Sequence, residues 1–180
     1  NRGRVMKILG GLGLFALFAL LAALLVLVAG QLGLLGGKPP EDLGVRAGRL
    51  KPPAQTPNSV SSQAALYPDH PQRAYAAIRP IAYSGDAQEA MARLTRLLEQ
   101  TPGCVLVKRE ADYLYAQWTT PRLKFIDDVE FFLDPAASVI HVRSASRLGS
   151  GDLGVNRLRV EELRARFVLD AAASAAKQSK

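Results

Sequence analysis

The stretch from Gly149 to Gly154 reads GSGDLG, with the spacing G-x-G-x-x-G of a dinucleotide-binding turn. That spacing does chemistry when a parallel βαβ unit aims a helix amino terminus at a pyrophosphate, with an acidic residue about 20 positions further on, at the end of the next strand. Here the chain after Phe167 reads VLDAAASAAKQSK and offers no such strand. The six residues therefore read as a glycine-rich connection, and neither a nucleotide nor any other cofactor is expected.

Two other groups have the residue types for a site. Asp127, Asp128 and Glu130 with His141 bring carboxylates, which suit Mg²⁺ or Ca²⁺, beside an imidazole, which suits transition metals. The plainer arrangement is a cross-strand charge ladder, Asp128 with Arg143 and Glu130 with His141. It is favoured because no second ligand cluster of the H-x-x-x-H kind accompanies the carboxylates. Asp128, Glu130 and His141 thus stand as polar-face candidates, with no metal and no catalytic residue assigned. Arg143, Ser144, Ser146, Arg147, Asn156 and Arg157 surround a predicted helix start, where outward-pointing amides attract a phosphate or carboxylate. Capping by Asp152 or Asn156, with the arginines paired to Asp127 and Asp128, is the favoured alternative. These six are the candidates for an anion or for a partner's acidic group.

No nucleophile system stands out. Cys104 lies in an apolar strand, where a buried thiol is usually inert. His70, in Tyr-Pro-Asp-His-Pro, reads as solvated. Trp118, Tyr113 and Tyr115 read as sheet packing or as a docking surface.

The elements that must position these groups follow from pattern. Residues 8–37 are 30 consecutive residues without a charge, longer than the roughly 20 needed to cross a bilayer and about twice a secretory signal's apolar core. They predict a retained transmembrane helix after a cytoplasmic segment, residues 1–7. Gly10, Gly11 and Gly13 read simply as glycines of a spanning helix. Eight of the eleven prolines fall between Pro39 and Pro80, so residues 38–77 read as an extended strap or linker. From residue 78 to 170 an α+β domain is expected. Asp86 and Glu89 form a capping box for a helix with Ala90, Met91, Leu94, Leu97 and Leu98 on one face. Four strands follow (104–110, 113–120, 123–134 and 138–145), then a helix from about Val155 with Val160, Leu163 and Phe167 buried, and a tail, residues 171–180. Arg157–Glu161 and Glu162–Arg166 read as i,i+4 pairs on its wet side. The expected fold is a four- to five-stranded antiparallel sheet with two helices packed on one face. With the turn at residues 134–137, Leu133 faces Ser138 and Asp128 faces Arg143. One face then carries Val129, Phe131, Leu133, Ile140 and Val142, and the other carries Asp128, Glu130, Phe132, Val139, His141 and Arg143.

The segments PNSVSSQA (57–64), IRPIAYSGD (78–86), DYLYAQ (112–117), FIDDVEFFLD (125–134) and RSASR through RVEELR (143–164) resemble the domain of unknown function 1499 family. The resemblance covers nearly all of the chain beyond the apolar run. It implies a single small domain, often exported or membrane-anchored in bacteria and also found in plastids, with no established activity. A large residue, often Tyr, usually precedes Ser-Asp-Leu-Gly in that family; here Ser150 precedes Gly151. The family commonly has a cysteine on each side of the Pro-Asn pair, at places held here by Pro53 and Ser59, so no disulfide or metal role carries over.

The net charge of +7 has Arg2, Arg4 and Lys7 crowded at the amino end, and the remainder is too mild for nucleic acid. The near-balanced flanks of the span place the amino terminus in the cytoplasm and the domain in the periplasm, on a bacterial inner membrane. The expected function is that of a non-enzymatic accessory or assembly subunit of a larger membrane complex, with membrane lipid and other membrane-protein subunits as partners. The alternatives are a domain binding a lipid or anionic metabolite between the sheet and the last helix, and a metal-dependent hydrolase at Asp128, Glu130 and His141.

Overall fold

A computed structural model describes residues 2–178; Asn1 and the last two residues of the expected tail lie outside it. Helix α1, Arg2–Gln31, has the length and composition to cross a membrane, and none of its most apolar window is buried. It therefore stands as a candidate membrane anchor. It stops before the apolar run does, because Gly33 takes φ 76. The Leu34 amide then bonds Ala29 O (3.0 Å) and the Gly33 amide bonds Gly30 O (2.9 Å). This is the glycine-dependent end that satisfies the last carbonyls of a helix.

Beyond α1 come β1 (Ser59–Ser61), a 3₁₀ turn (Ala64–Leu66), α2 (Arg73–Ala76), β2 (Ile81–Ala82), α3 (Ala87–Glu99), β3 (Cys104–Arg109), β4 (Tyr113–Thr119), β5 (Ile126–Asp134), β6 (Val139–Ser146) and α4 (Val155–Gln178). The strands form one six-stranded sheet in the order β1-β6-β5-β4-β3, with β2 also on β6. Every named pairing is antiparallel. The architecture is the expected α+β one, with six strands rather than four or five. The added pieces are short: β1 and α2 fall inside the stretch read as a strap, where a three-residue strand leaves no period to detect.

Helices α3 and α4 cover one face of the sheet. Met91, Leu94 and Leu98 from α3 and Val160, Leu163 and Phe167 from α4 close on Leu114, Val129, Phe131, Leu133, Ile140 and Val142. Asp86 caps α3 by accepting from the Glu89 amide at 2.8 Å, as its capping pattern requires. The predicted i,i+4 pairs on α4 are replaced by tertiary bonds. Arg157 donates to the Tyr75 and Ala77 carbonyls and Arg166 donates to Thr101 Oγ1. Among the described residues the ion pair made within this helix is Arg164 with Glu161. An exposed i,i+4 pair is worth little, so arginines that find a tertiary partner lose little by leaving it.

The β5–β6 register differs from the predicted one by two residues. Leu133 lies opposite Ile140, Asp128 opposite Ala145 and Glu130 opposite Arg143. The cause is the turn: Ser138 adopts φ 54 and its amide bonds Pro135 O at 3.3 Å, so the loop is residues 135–138. A shift of two keeps every side chain on its predicted face while changing every partner.

Candidate functional site: a cationic cavity under the strap

The sheet divides the predicted anion-binding set. Ser144 and Ser146 point towards the helices with Asn156, whereas Arg143 and Arg147 point to the opposite face, under residues 38–70. On the helix face Asn156 is fully buried. Its Oδ1 accepts from Ser144 Oγ (2.5 Å) and its Nδ2 donates to Ser146 Oγ (3.0 Å), Asp152 Oδ2 (2.8 Å) and Asn58 O (3.1 Å). Asp152 caps α4 through the Gly154 and Asn156 amides at 3.0 and 3.1 Å. Burial pushes its carboxyl up, but the Tyr75 hydroxyl and these amides together outweigh that and hold it below the usual range. The helix start already has its anion, supplied by the chain. Asp127, expected to pair with one of the arginines Arg143, Arg147 and Arg157, pairs with Arg159 instead, at 2.7 Å.

On the other face, two carboxylates and two tyrosines interlock. Asp128 receives Arg147 through Nε (2.8 Å) and Nη2 (2.7 Å) and the Tyr115 hydroxyl at 2.6 Å. Glu130, wholly buried, accepts the Tyr113 hydroxyl and the Gly44 amide at Oε1, each at 2.8 Å. Its Oε2 has no hydrogen-bond partner and lies 3.6 Å from Arg143 Nη1. Burial raises the Glu130 carboxyl above its ordinary value, and Gly44, Arg143 and Tyr113 oppose that.

His141 is not a partner of Glu130. It lies opposite Phe132 and stacks on it, with Nδ1 3.1 Å from Ser62 Oγ and Nε2 3.7 Å from Asp134. Burial lowers its pKa, with Asp134 opposing. Asp128, Glu130 and His141 therefore do not converge, and among the described residues no three His, Cys, Asp or Glu side chains are grouped to hold a metal ion.

What this face does hold is a cavity of ≈ 660 Å³, within the range of small-molecule sites. Lys38, Arg46, Arg49, Lys51, Arg143 and Arg147 line it, against the carboxylates Asp42 and Asp128. The strap that roofs it is fastened at several points. Leu50 is buried, its amide bonds Gln63 Oε1, its carbonyl accepts Tyr67 Oη, and Gln63 Nε2 reaches Gly48 O. A tight turn pairs Arg46 with Arg49, made possible by left-handed Ala47 and Gly48. Directly paired residues share a face, and like charges placed so repel. Lys51 pairs with Asp42, and Arg147 with Asp128, but among the described residues no acid engages Lys38, Arg46 or Arg49.

Arg143 is the deepest cation. It is 4 % exposed, and burial works to lower its pKa against Glu130 and Asp128. Its Nε donates to Pro52 O at 3.0 Å. Its Nη1 lies 3.6 Å from Glu130 Oε2, and the side chain lines the cavity. Sequence reasoning found Arg143 and Arg147. It missed Lys38, Arg46, Arg49 and the two tyrosines; the signal for the tyrosines was their i,i+2 spacing on the strand beside Asp128 and Glu130.

The family described as Protein of unknown function (DUF1499) matches residues 49–167. The chain belongs to the DUF1499 family. No curated protein matches it, and no solved structure does. The DUF1499 match takes in the whole sheet, α3, the first half of α4 through Phe167 and the Arg49 side of the cavity, but begins after Lys38 and Arg46. Within it, RSASR to RVEELR is structural in a specific sense: Arg143 and Arg147 neutralise buried carboxylates, Asp152 caps α4, and Asn156 ties that helix to the segment before β1.

Cys104, in the same DUF1499 region, is half-buried, and burial pushes its thiol up to about 11, with Arg159 opposing. Only roughly one thiol in a thousand would be ionised at pH 8. Iodoacetamide is therefore expected to modify it far more slowly than an unfolded cysteine, and denaturation should restore the ordinary rate; equal rates by mass spectrometry would contradict the burial.

Proposed function

We propose that this DUF1499 protein is a single-pass membrane-tethered binding domain that holds a small carboxylate- or phosphate-bearing ligand in the cavity under its strap. The observation that carries the reading is the surplus of cations in this cavity: Lys38, Arg46 and Arg49 line it with no acid engaged among the described residues, beside Arg143, whose carboxylate is Glu130. Charge-assisted bonds to carboxylate or phosphate are the strong kind, and these cations are placed to offer them. The ligand site is thus moved from the sheet–α4 interface, which is filled by packed side chains, to the opposite face. Placement of the domain on the periplasmic side of a bacterial inner membrane belongs to the same proposal, on the strength of Arg2, Arg4 and Lys7 before the apolar run. Ligand binding is preferred to an accessory-subunit role because the cavity has built partners and the span alone names none.

The test is thermal unfolding of the full chain in mild detergent with inorganic phosphate, citrate or chloride at matched ionic strength. A site-bound anion at a hundred times its Kd stabilises by about 2.7 kcal/mol. Phosphate or citrate is expected to raise Tm above chloride in the wild type, and the double variant Arg46→Ala/Arg49→Ala is expected to lose that increment. An equal response in both proteins, or none with either anion, defeats the reading.

A further inference from the structure

The end of the domain beside α1 is built differently from the far end. The last turn of α1 is packed on the β4–β5 loop: a Cβ on Gly30 would stand 2.6 Å from the Leu123 carbonyl, and Gln31 Nε2 donates to Arg122 O at 2.8 Å. The chain then turns across the ends of β5 and β6. A Cβ on Gly36 would meet Ile126 Cδ1 at 3.2 Å, and one on Gly37 would meet Arg147 Cβ at 2.8 Å and Leu148 Cγ at 3.1 Å. The β4–β5 loop and the β6–α4 loop are therefore held at the level where the apolar helix ends.

This end carries apolar side chains that the core leaves out. Leu148, Leu153 and Val155 are exposed and border one depression together with the half-buried Phe125 and Ile126. Leu153 is 98 % exposed at a loop tip with φ 51, the left-handed backbone region that L residues disfavour. Leu158, one turn into α4, is also exposed. Arg122 and Lys124 flank the patch, and no acid pairs with either among the described residues. The far end, by contrast, ends in Glu110–Ala111–Asp112 and in the turn Asp134–Pro135–Ala136–Ala137–Ser138, which together carry three acids and no large apolar side chain. Exposed leucine between unpaired cations is the composition of a surface that enters the headgroup region of a bilayer.

We propose that this end of the domain is a second membrane contact: the β6–α4 loop, led by Leu153, inserts into the headgroup–acyl boundary beside α1, so that the domain lies on the bilayer instead of hanging from a flexible stalk. The inference rests on α1 being a membrane span and is independent of the cavity's ligand.

The experiment uses the full chain with Cys104→Ala, reconstituted in vesicles of phosphatidylcholine and phosphatidylglycerol. A nitroxide is attached in turn to Leu153→Cys, Leu158→Cys, Leu20→Cys within α1, and Ala136→Cys at the far turn, and its collisions with oxygen and with a water-soluble nickel chelate are compared. The oxygen-to-nickel ratio at 153 is expected to lie several-fold above that at 136 and below that at 20, with 158 intermediate. A label at 153 as nickel-accessible as 136, while 20 remains in hydrocarbon, overturns the second contact and leaves the span standing. A water-exposed label at 20 overturns both.

Discussion

Replacing Arg143 by methionine is expected to destabilise the protein by about 3–5 kcal/mol at neutral pH, because it leaves a buried carboxylate without its cation. Glu130 is wholly buried, its Oε2 accepts no hydrogen bond, and Arg143 is the cation beside it. The pH dependence has a definite sign. Burial already lifts Glu130 above its ordinary value of 4.5, so above that pH the folded state keeps more protons on this group than the unfolded state does. Stability contributed by Glu130 is then full below 4.5 and declines as pH rises through the folded value. Without Arg143 the folded value rises further and the window widens upward. The deficit of Arg143→Met should accordingly be largest at neutral pH and shrink on acidification. Adding Glu130→Gln should recover most of the loss, since the uncompensated charge has gone. Denaturant unfolding across pH checks all three; a deficit that stays constant with pH, or that the second substitution does not relieve, would show that Arg143 matters through packing alone.

Asn156→Ala is expected to cost about 3 kcal/mol or more, because each buried polar group left unpaired costs about 1–3 kcal/mol. The carboxamide joins Ser144 and Ser146 of β6, Asp152 of the loop and the Asn58 carbonyl before β1. Its loss strands several of these at once. The damage should also be local: amides of β1, a three-residue edge strand laid along β6, should lose hydrogen-exchange protection ahead of β4 and β5. Uniform loss across the sheet would mean that β1 does not depend on this tie. Asn156→Asp is expected to be no better, because it replaces the donor facing Asp152 with a second carboxylate.

The order of the main elements, the apolar helix, the caps and the division of each strand into a core face and a polar face were legible in the sequence. All of them depend on local periodicity: 3.6 residues for Leu94 and Leu98, two for Phe131 and Leu133. Parity even survived the error in register, since a shift of two residues leaves Glu130 and Arg143 on the same face.

Partners were another matter. Whether Glu130 meets His141 or Arg143 depended on the left-handed conformation of one turn residue, Ser138. That Gly44 closes on Glu130 across 86 positions depended on how the strap lies over a sheet that local pattern does not describe. The six anion-site candidates were adjacent in sequence, yet the sheet between them put Arg143 and Arg147 on one side and Ser144, Ser146 and Asn156 on the other. Alternation along each strand and the closing of each cap follow from neighbours in the chain. Which charges are neutralised and which face a cavity follows from the folded arrangement, because neutralisation is a matter of a few ångströms between segments far apart in the chain.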